Sequence, residues 1–74
     1  MVFACTLICC EAEKYKEVVS KVKALKEVKR AFGVHGRWDV VVELEVANIK
    51  ALGDLALKIN ELRGVRASET LVGF

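Results

Sequence analysis

The sequence contains no proline and no glutamine, and it has one histidine, one tryptophan and one methionine among its 74 residues. A single histidine cannot supply the repeated imidazole ligands of the commonest zinc sites. No apolar run reaches the ~20 residues that a membrane-spanning helix requires. The N-terminal apolar stretch also lacks the basic flank of a signal peptide. We therefore expect a cytoplasmic protein that uses no metal or other cofactor and has no membrane partner.

Charge and cysteine content exclude further classes of protein. The formal net charge is only +2, and because direct nucleic-acid binding usually requires a clustered basic face, we expect no nucleic-acid partner. Cys5, Cys9 and Cys10 fall within one apolar stretch and form no C-x-x-C motif. We expect buried, reduced thiols rather than disulfides or metal ligands. The missing proline and glutamine, together with 30% charged residues, resemble the composition of heat-adapted proteins.

Length and hydrophobicity predict one small domain, residues 1–74, that associates with copies of itself. A chain of this size buries only about 60% of the surface that its unfolded form exposes. Hydrophobic residues nevertheless make up 54% of the sequence, which is more apolar surface than one small core accommodates. Association between subunits buries the remainder and stabilises the fold, so we expect a homo-oligomer.

Hydrophobic periodicity predicts four strands and two helices. Apolar, β-branched stretches indicate strands at residues 2–10, 28–35, 40–46 and 65–73. Apolar residues recur at three- and four-residue spacing over residues 13–26 and again over 49–62, which indicates amphipathic helices. The order β-α-β-β-α-β predicts an α+β fold, the ferredoxin-like sandwich, with a four-stranded antiparallel sheet and both helices on one face.

The second predicted helix has identifiable ends and one residue that departs from its pattern. Asn48 occupies the position of an N-cap, and Gly64 is placed to end the helix. Leu57 falls among charged residues on the side opposite the apolar stripe. An exposed leucine is ordinary by itself; a contact between dimers is the alternative interpretation.

The first strand predicts how subunits associate. Residues 2–10 are apolar except for Thr6, so both faces of this strand need cover. The helices cover one face of the sheet and leave the other open. We therefore expect a homodimer that forms sheet to sheet through the open face, the arrangement called a dimeric α+β barrel.

Two motifs give the chain a family resemblance. The stretch VHGRWDVVVELEV, residues 34–46, resembles the pattern V-x-G-x-[YF]-D followed by an apolar strand. The stretch LRGVRASETLVGF, residues 62–74, resembles an L-P-G-V-x-x-[ST]-x-[ST] ending, with Arg63 in place of the common proline. Together they resemble the effector-binding domain of the Lrp/AsnC regulators, the RAM domain, over residues 2–74. Full-length members carry an N-terminal helix-turn-helix for DNA, for which this chain has no room, so we expect a stand-alone form.

The resemblance implies a ligand site on the loop that joins the second and third strands. In the family, small effectors, usually amino acids, bind where this loop meets a neighbouring dimer in a ring of dimers. Gly36 lets the backbone approach a ligand closely, and Arg37 is able to pair with a carboxylate. Trp38 offers an apolar wall, and Asp39 is able to accept from an α-ammonium group.

The resemblance also implies a contribution from the last strand and a regulatory function. Ser68 and Thr70 match the family's hydroxyl positions and are expected on one face of that strand, from the same subunit or from across an interface. The implied function is amino-acid sensing that modulates transcription indirectly. The domain would act through its own assembly or by pairing with a full-length, DNA-binding relative, and it would not be an enzyme.

Three other functions remain open from the residues alone. In an interaction module without a ligand, Asp39 would only accept from loop amides and Trp38 would only pack at an interface. An enzyme of the dimeric α+β barrel type needs an acid–base group, and His35 is the only candidate that titrates near neutral pH. A metal-trafficking domain shares the topology but needs a paired-thiolate loop after the first strand, which this sequence lacks.

Overall fold

Four strands and two helices follow one another in the predicted order. The computed structural model describes residues 1–73, so Phe74, the last residue of the predicted domain, lies outside the described residues. The elements are β1 (Val2–Cys10), α1 (Tyr15–Lys23), β2 (Val28–Gly33), β3 (Val40–Val46), α2 (Ile49–Asn60) and β4 (Val65–Val72). All strand pairs are antiparallel, in the order β2-β3-β1-β4. The predicted ferredoxin-like α+β fold is confirmed.

The core lies between one face of the sheet and the two helices. Along β1 and β3 every second residue is buried, because successive side chains of a strand point to opposite faces. The helices contribute the apolar stripes that their spacing predicts, with Val18 and Val22 from α1 and Leu52, Leu55 and Ile59 from α2. Burial of these side chains holds both helices on the same face of the sheet.

The predicted start of α2 is confirmed, and its predicted end is wrong. Asn48 caps the helix as expected, since its Oδ1 accepts from the Ala51 N–H at 2.8 Å. The helix ends at Asn60 rather than at Gly64. Gly64 is buried in the turn before β4 with a φ of +98°, and a Cβ there would lie 3.2 Å from Val18 Cγ2 of α1. Its conformation and its close approach to α1, rather than a helix end, require glycine.

Helix α1 is shorter than the predicted span of 13–26. Glu13 has a φ of 64°, a left-handed conformation that no helical residue adopts, so the helix begins only at Tyr15. At the other end the Leu25 N–H donates to the Val22 carbonyl at 3.0 Å, three residues back, which tightens the last turn and ends the helix. The apolar spacing continues beyond both points, and for that reason it overestimated the length.

The second face of the sheet is open and largely apolar in the single chain. β1 contributes Phe3, Cys5, Leu7 and Cys9 to this face, because the residues between them are buried on the helix side. Phe3 is 60% exposed. Only Cys10 is a buried thiol, whereas Cys5 and Cys9 are partly exposed. The expectation that all three thiols are buried is therefore wrong for the isolated chain, since two of them point away from the helices.

The two carboxylates that β3 contributes to the open face are paired with cations of the neighbouring strand β2. Glu43 lies 4.0 Å from Arg30, and Glu45 lies 3.4 Å from Lys29. Arg30 also stacks over the ring of Phe32, 5.1 Å from its centroid. The Glu45 side chain is only 15% exposed. The β2 side of this face therefore carries matched charges beside an apolar centre.

We predict that Gly53→Ala stabilises the protein. Gly53 lies exposed within α2, and a Cβ there would meet nothing within 4 Å. Alanine reduces the backbone freedom of the unfolded chain, so the free energy of unfolding should rise by about 0.5–1 kcal/mol. Urea unfolding at one fixed protein concentration measures the change.

The matched comparison is Gly64→Ala, which should destabilise by about 1–3 kcal/mol because of its positive φ and its contact with α1. Equal effects of the two substitutions would contradict the assignment of Gly64 as a conformationally required glycine.

Candidate functional site

The loop between β2 and β3 comprises residues 34–39 and is fixed to β1 at its C-terminal end. The Val34 N–H donates to the Asp39 carbonyl at 2.9 Å, which closes the loop, and the Asp39 N–H donates to the Ile8 carbonyl at 2.9 Å. The Asp39 carboxylate accepts from the Cys10 N–H at 2.7 Å. β2 therefore ends at Gly33 and not at His35, because the chain turns once Val34 bonds to Asp39.

Asp39 accepts a hydrogen bond from a backbone N–H of β1 at the position where the pairing of β1 with β4 is irregular. The register between β1 and β4 shifts between Cys9 and Cys10, and the carboxylate supplies the acceptor for the Cys10 N–H. Burial, the Asp39 carboxylate and Cys9 together raise the pKa of the Cys10 thiol. That thiol therefore stays protonated at neutral pH and is a poor nucleophile.

The other predicted ligand residues of the loop differ in exposure. Gly36 has a φ of +127°, and a Cβ there would meet nothing within 4 Å. Glycine is therefore required by the backbone conformation rather than by crowding. Arg37 is exposed, and Trp38 is half-buried. The loop thus presents a cation and an indole ring next to backbone that a ligand can approach.

A cleft of about 490 Å³ lies beside the loop, lined by Tyr15, Gly33, Val34, His35 and Asp39. Asp39 is the only predicted ligand residue in this lining. Tyr15 falls within the apolar spacing that predicts the first helix, yet the residue is 45% exposed. The Tyr15 ring lies against Gly33, where a Cβ would be 3.3 Å from its Cδ2 atom. A glycine at the end of β2 was the available signal for this close approach.

Ser68 and Thr70 share the helix-facing side of β4, with Glu69 on the opposite side. Each hydroxyl has a partner within the chain: Thr70 Oγ1 lies 3.0 Å from Thr6 Oγ1, and Ser68 donates to Asn60 Oδ1 at 3.1 Å. These bonds tie β4 to β1 and to the end of α2. Neither hydroxyl is among the residues that line the cleft.

The hydroxyls and the loop nevertheless lie at the same end of the sheet. Ser68 is paired with Ile8 from the β4 side of β1, and Asp39 bonds to the Ile8 carbonyl from the β3 side. With strands spaced at about 4.8 Å, the two groups are separated by roughly 10 Å across β1.

The fold is that of a ligand-binding domain found in transcriptional regulators. A family model described as the Lrp/AsnC ligand binding domain matches residues 4–74. The chain belongs to the Lrp/AsnC family, and the predicted resemblance is confirmed.

Curated relatives are regulators from the archaeon Pyrococcus furiosus. An uncharacterized HTH-type transcriptional regulator is 30% identical over 60 residues, which are 80% of this chain and 40% of the relative. The HTH-type transcriptional regulator FL11 is 28% identical over 71 residues, 96% of this chain and 47% of the relative. The chain spans less than half the length of these relatives.

A solved structure of similar size has the same fold. The hypothetical protein PHS023 from Pyrococcus horikoshii superposes with a TM-score of 0.93 at 32% identity, over 100% of this chain and 90% of that one. Within residues 1–73 no helix is long and apolar enough to cross a membrane. The same described range contains no cluster of three or more His, Cys, Asp and Glu residues arranged to hold a metal ion.

We predict that Asp39→Ala destabilises the fold as well as altering the loop. The substitution leaves the Cys10 N–H without its acceptor, which should lower the free energy of unfolding by about 1–3 kcal/mol. Asp39→Asn keeps a carbonyl oxygen at the same place, so its free energy of unfolding should fall less than that of Asp39→Ala. Urea unfolding and hydrogen exchange at the Cys10 amide measure both effects.

Asp54→Ala is the matched control, because Asp54 is an exposed aspartate on α2. If Asp39→Ala were no more destabilising than Asp54→Ala, the bond to Cys10 would not be a fixed part of the loop.

Proposed function

We propose that this domain binds an amino acid at an interface between subunits and modulates transcription through its assembly, without itself contacting DNA. Membership of the Lrp/AsnC family and the names of the curated relatives support a regulatory rather than a catalytic function. The observation that carries the proposal is the loop of residues 34–39, held to β1 by Asp39 beside an open cleft.

The loop offers complementary groups for an amino-acid zwitterion. Asp39 uses one carboxylate oxygen for the Cys10 N–H, and the other is available to accept from an α-ammonium group. Backbone N–H groups around Gly36 and the side chain of Arg37 suit an α-carboxylate. Trp38 provides an apolar surface for the ligand's side chain.

Ser68 and Thr70 complete the proposed site from the last strand. Because roughly 10 Å of β1 and its neighbours separates them from Asp39 within one subunit, they reach a small ligand most directly from a neighbouring subunit. Their bonds to Asn60 and Thr6 fix the positions of the hydroxyl oxygens. Each oxygen retains a lone pair for a further donor.

The open face of the sheet is the proposed homodimer interface. Its centre is a continuous apolar row, with Phe32, Val41 and Leu7 side by side on β2, β3 and β1. Leu71, on β4 beside Cys5, is 48% exposed in the single chain. The acidic residues of β3 are already paired with Lys29 and Arg30, which lowers the cost of burying them against a second copy.

Leu57 is the proposed contact between dimers. It is 64% exposed on the outer side of α2, away from both the core and the open face. A leucine there can pack against another dimer without disturbing either. This contact would assemble dimers into the ring that the family resemblance implies.

An effector that binds between subunits would control assembly by mass action. At a ligand concentration 100 times its dissociation constant, it would stabilise the assembled state by about 2.7 kcal/mol per site. The change in assembly would reach DNA through a full-length Lrp/AsnC regulator that pairs with this domain. Transcription would therefore respond to which subunits, this domain or full-length regulators, make up the oligomer.

We predict that Leu7→Lys dissociates the dimer and that Leu57→Lys does not. Leu7 lies between Val41 and Glu69 on the open face, so dimer formation would bury the ammonium group of a lysine there, and pairing with Glu69 would not offset its loss of hydration. Leu57→Lys adds the same charge far from that face and should reduce only assemblies larger than the dimer. Sedimentation velocity gives the mass of each variant.

The two variants control for each other, because both replace leucine by lysine at a position outside the core. If Leu7→Lys had the same mass as the unmodified protein, the open face would not be the interface. If Leu57→Lys had the same mass as the unmodified protein, Leu57 would not be a contact between dimers.

We predict that the oligomer retains one amino acid per subunit. Native mass spectrometry with each of the twenty amino acids in turn should find a species whose mass exceeds that of the oligomer by one ligand per subunit. The same amino acid should raise the thermal midpoint. An intact oligomer that retains none of the twenty would contradict amino-acid sensing and leave an interaction module.

A further inference from the structure

We infer that Tyr15 of α1 is a specificity-determining residue of the cleft beside the loop, where its ring would contact a ligand whose ammonium group binds Asp39. The inference rests on the proposed function, because the ammonium group would be that of the bound amino acid. It adds a residue from a different element, α1, to a site otherwise built from the β2–β3 loop and β4.

The charge of the cleft favours a cation. Asp39 is the only carboxylate among the residues that line it, and one of its oxygens is engaged by the Cys10 N–H. Within residues 1–73 the other oxygen accepts no hydrogen bond and forms no ion pair. A carboxylate ligand placed there would be repelled, whereas an ammonium group would form a charge-assisted hydrogen bond.

The aromatic wall of the cleft favours the same kind of group. Tyr15 and Asp39 line one cleft of about 490 Å³, and the tyrosine side chain is partly exposed rather than packed in the core. The face of an aromatic ring attracts a cation within about 6 Å of its centroid. A carboxylate and an aromatic ring in one cleft are therefore complementary to an alkylammonium group, which has a positive end and an apolar stem.

Gly33 fixes where the tyrosine ring can lie. A Cβ at this position would be 3.3 and 3.4 Å from the Cδ2 and Cε2 atoms of Tyr15, and its other near neighbour is the Asp39 carbonyl at 3.7 Å. An alanine here would therefore displace the ring, which is the far end of a flexible side chain, more than the backbone. Gly33→Ala moves the proposed wall without removing it.

The residues around the cleft indicate where the ammonium and carboxylate groups of an amino acid would lie. His35 also lines the cleft, while Arg37 belongs to the loop but not to the cleft lining. An amino acid would therefore place its ammonium group inside the cleft and its carboxylate outside it, towards Arg37. Amino acids would be distinguished from simple carboxylic acids mainly by the ammonium group.

The test uses n-butylammonium chloride as the probe and sodium butyrate as its matched control, both at one ionic strength. Titration of the ¹⁵N-labelled protein, followed by ¹H–¹⁵N spectra, reports binding at the amides of Gly33, Val34 and His35. We expect butylammonium to shift these amides with saturation and butyrate, which lacks the ammonium group, to shift chiefly the amides of Gly36 and Arg37. Saturable shifts from butyrate that match those from butylammonium would overturn the assignment of an ammonium site.

Three variants test the contribution of the tyrosine ring. Tyr15→Ala should weaken butylammonium binding about two- to fivefold, and Tyr15→Phe should bind within twofold of the unmodified protein because it keeps the ring. Gly33→Ala should weaken binding through displacement of the ring, while Gly53→Ala, a glycine-to-alanine change on α2, should not. Unchanged affinity in both Tyr15→Ala and Gly33→Ala would overturn the role of Tyr15.

Failure of this inference is distinguishable from failure of the proposed function. If the oligomer retains an amino acid but Tyr15→Ala binds it as tightly as the unmodified protein, the proposed function stands and Tyr15 is not part of the site. If no amino acid is retained but butylammonium shifts the cleft amides, the ammonium site stands and amino-acid sensing does not.

Discussion

The central strand β1 is the element on which the rest of the structure depends. It pairs with β3 on one side and with β4 on the other, and its alternate residues supply the core on the helix side. Its remaining side chains, from Phe3 to Cys9, are apolar and point to the open face. Cover on both faces stabilises a strand that is apolar on both, so in the proposed homodimer the same strand would supply both the core and the interface.

The proposed ligand site lies at the end of this strand, where its regular pairing breaks down. The register with β4 shifts after Cys9, and Asp39 compensates by accepting from the Cys10 N–H. Because β1 carries the proposed interface along its length and holds the loop at its end, assembly and ligand binding would share one strand. In the proposed function, this shared strand is the physical reason why an effector would change the oligomer.

Periodicity and composition were sufficient to predict the fold but not the ends of its elements. The apolar spacing gave the number, type and order of elements, and Asn48 marked the start of α2. The spacing could not reveal that Glu13 takes a left-handed conformation or that Val34 bonds across the loop to Asp39, since both depend on how the chain packs. Gly64 was interpreted as a helix end although its role is set by contact with α1, a tertiary property.

The candidate site was predictable only in part for the same reason. The loop residues 36–39 were identified from a motif, which is local in sequence. Tyr15 was not, because an aromatic residue at helical spacing is normally part of the core. Its place in the cleft follows from the glycine opposite it, Gly33, and from the three-dimensional proximity of α1 to the end of β2.

The mass of the unmodified protein in solution reports directly whether the open face is an interface. We expect an even multiple of the 8.2 kDa subunit mass at micromolar concentration by sedimentation equilibrium, because a second copy would cover the open face of β1 and its neighbours. A monomer of 8.2 kDa that persists as the concentration is raised would contradict it, since the apolar face would then be stable in water without a partner.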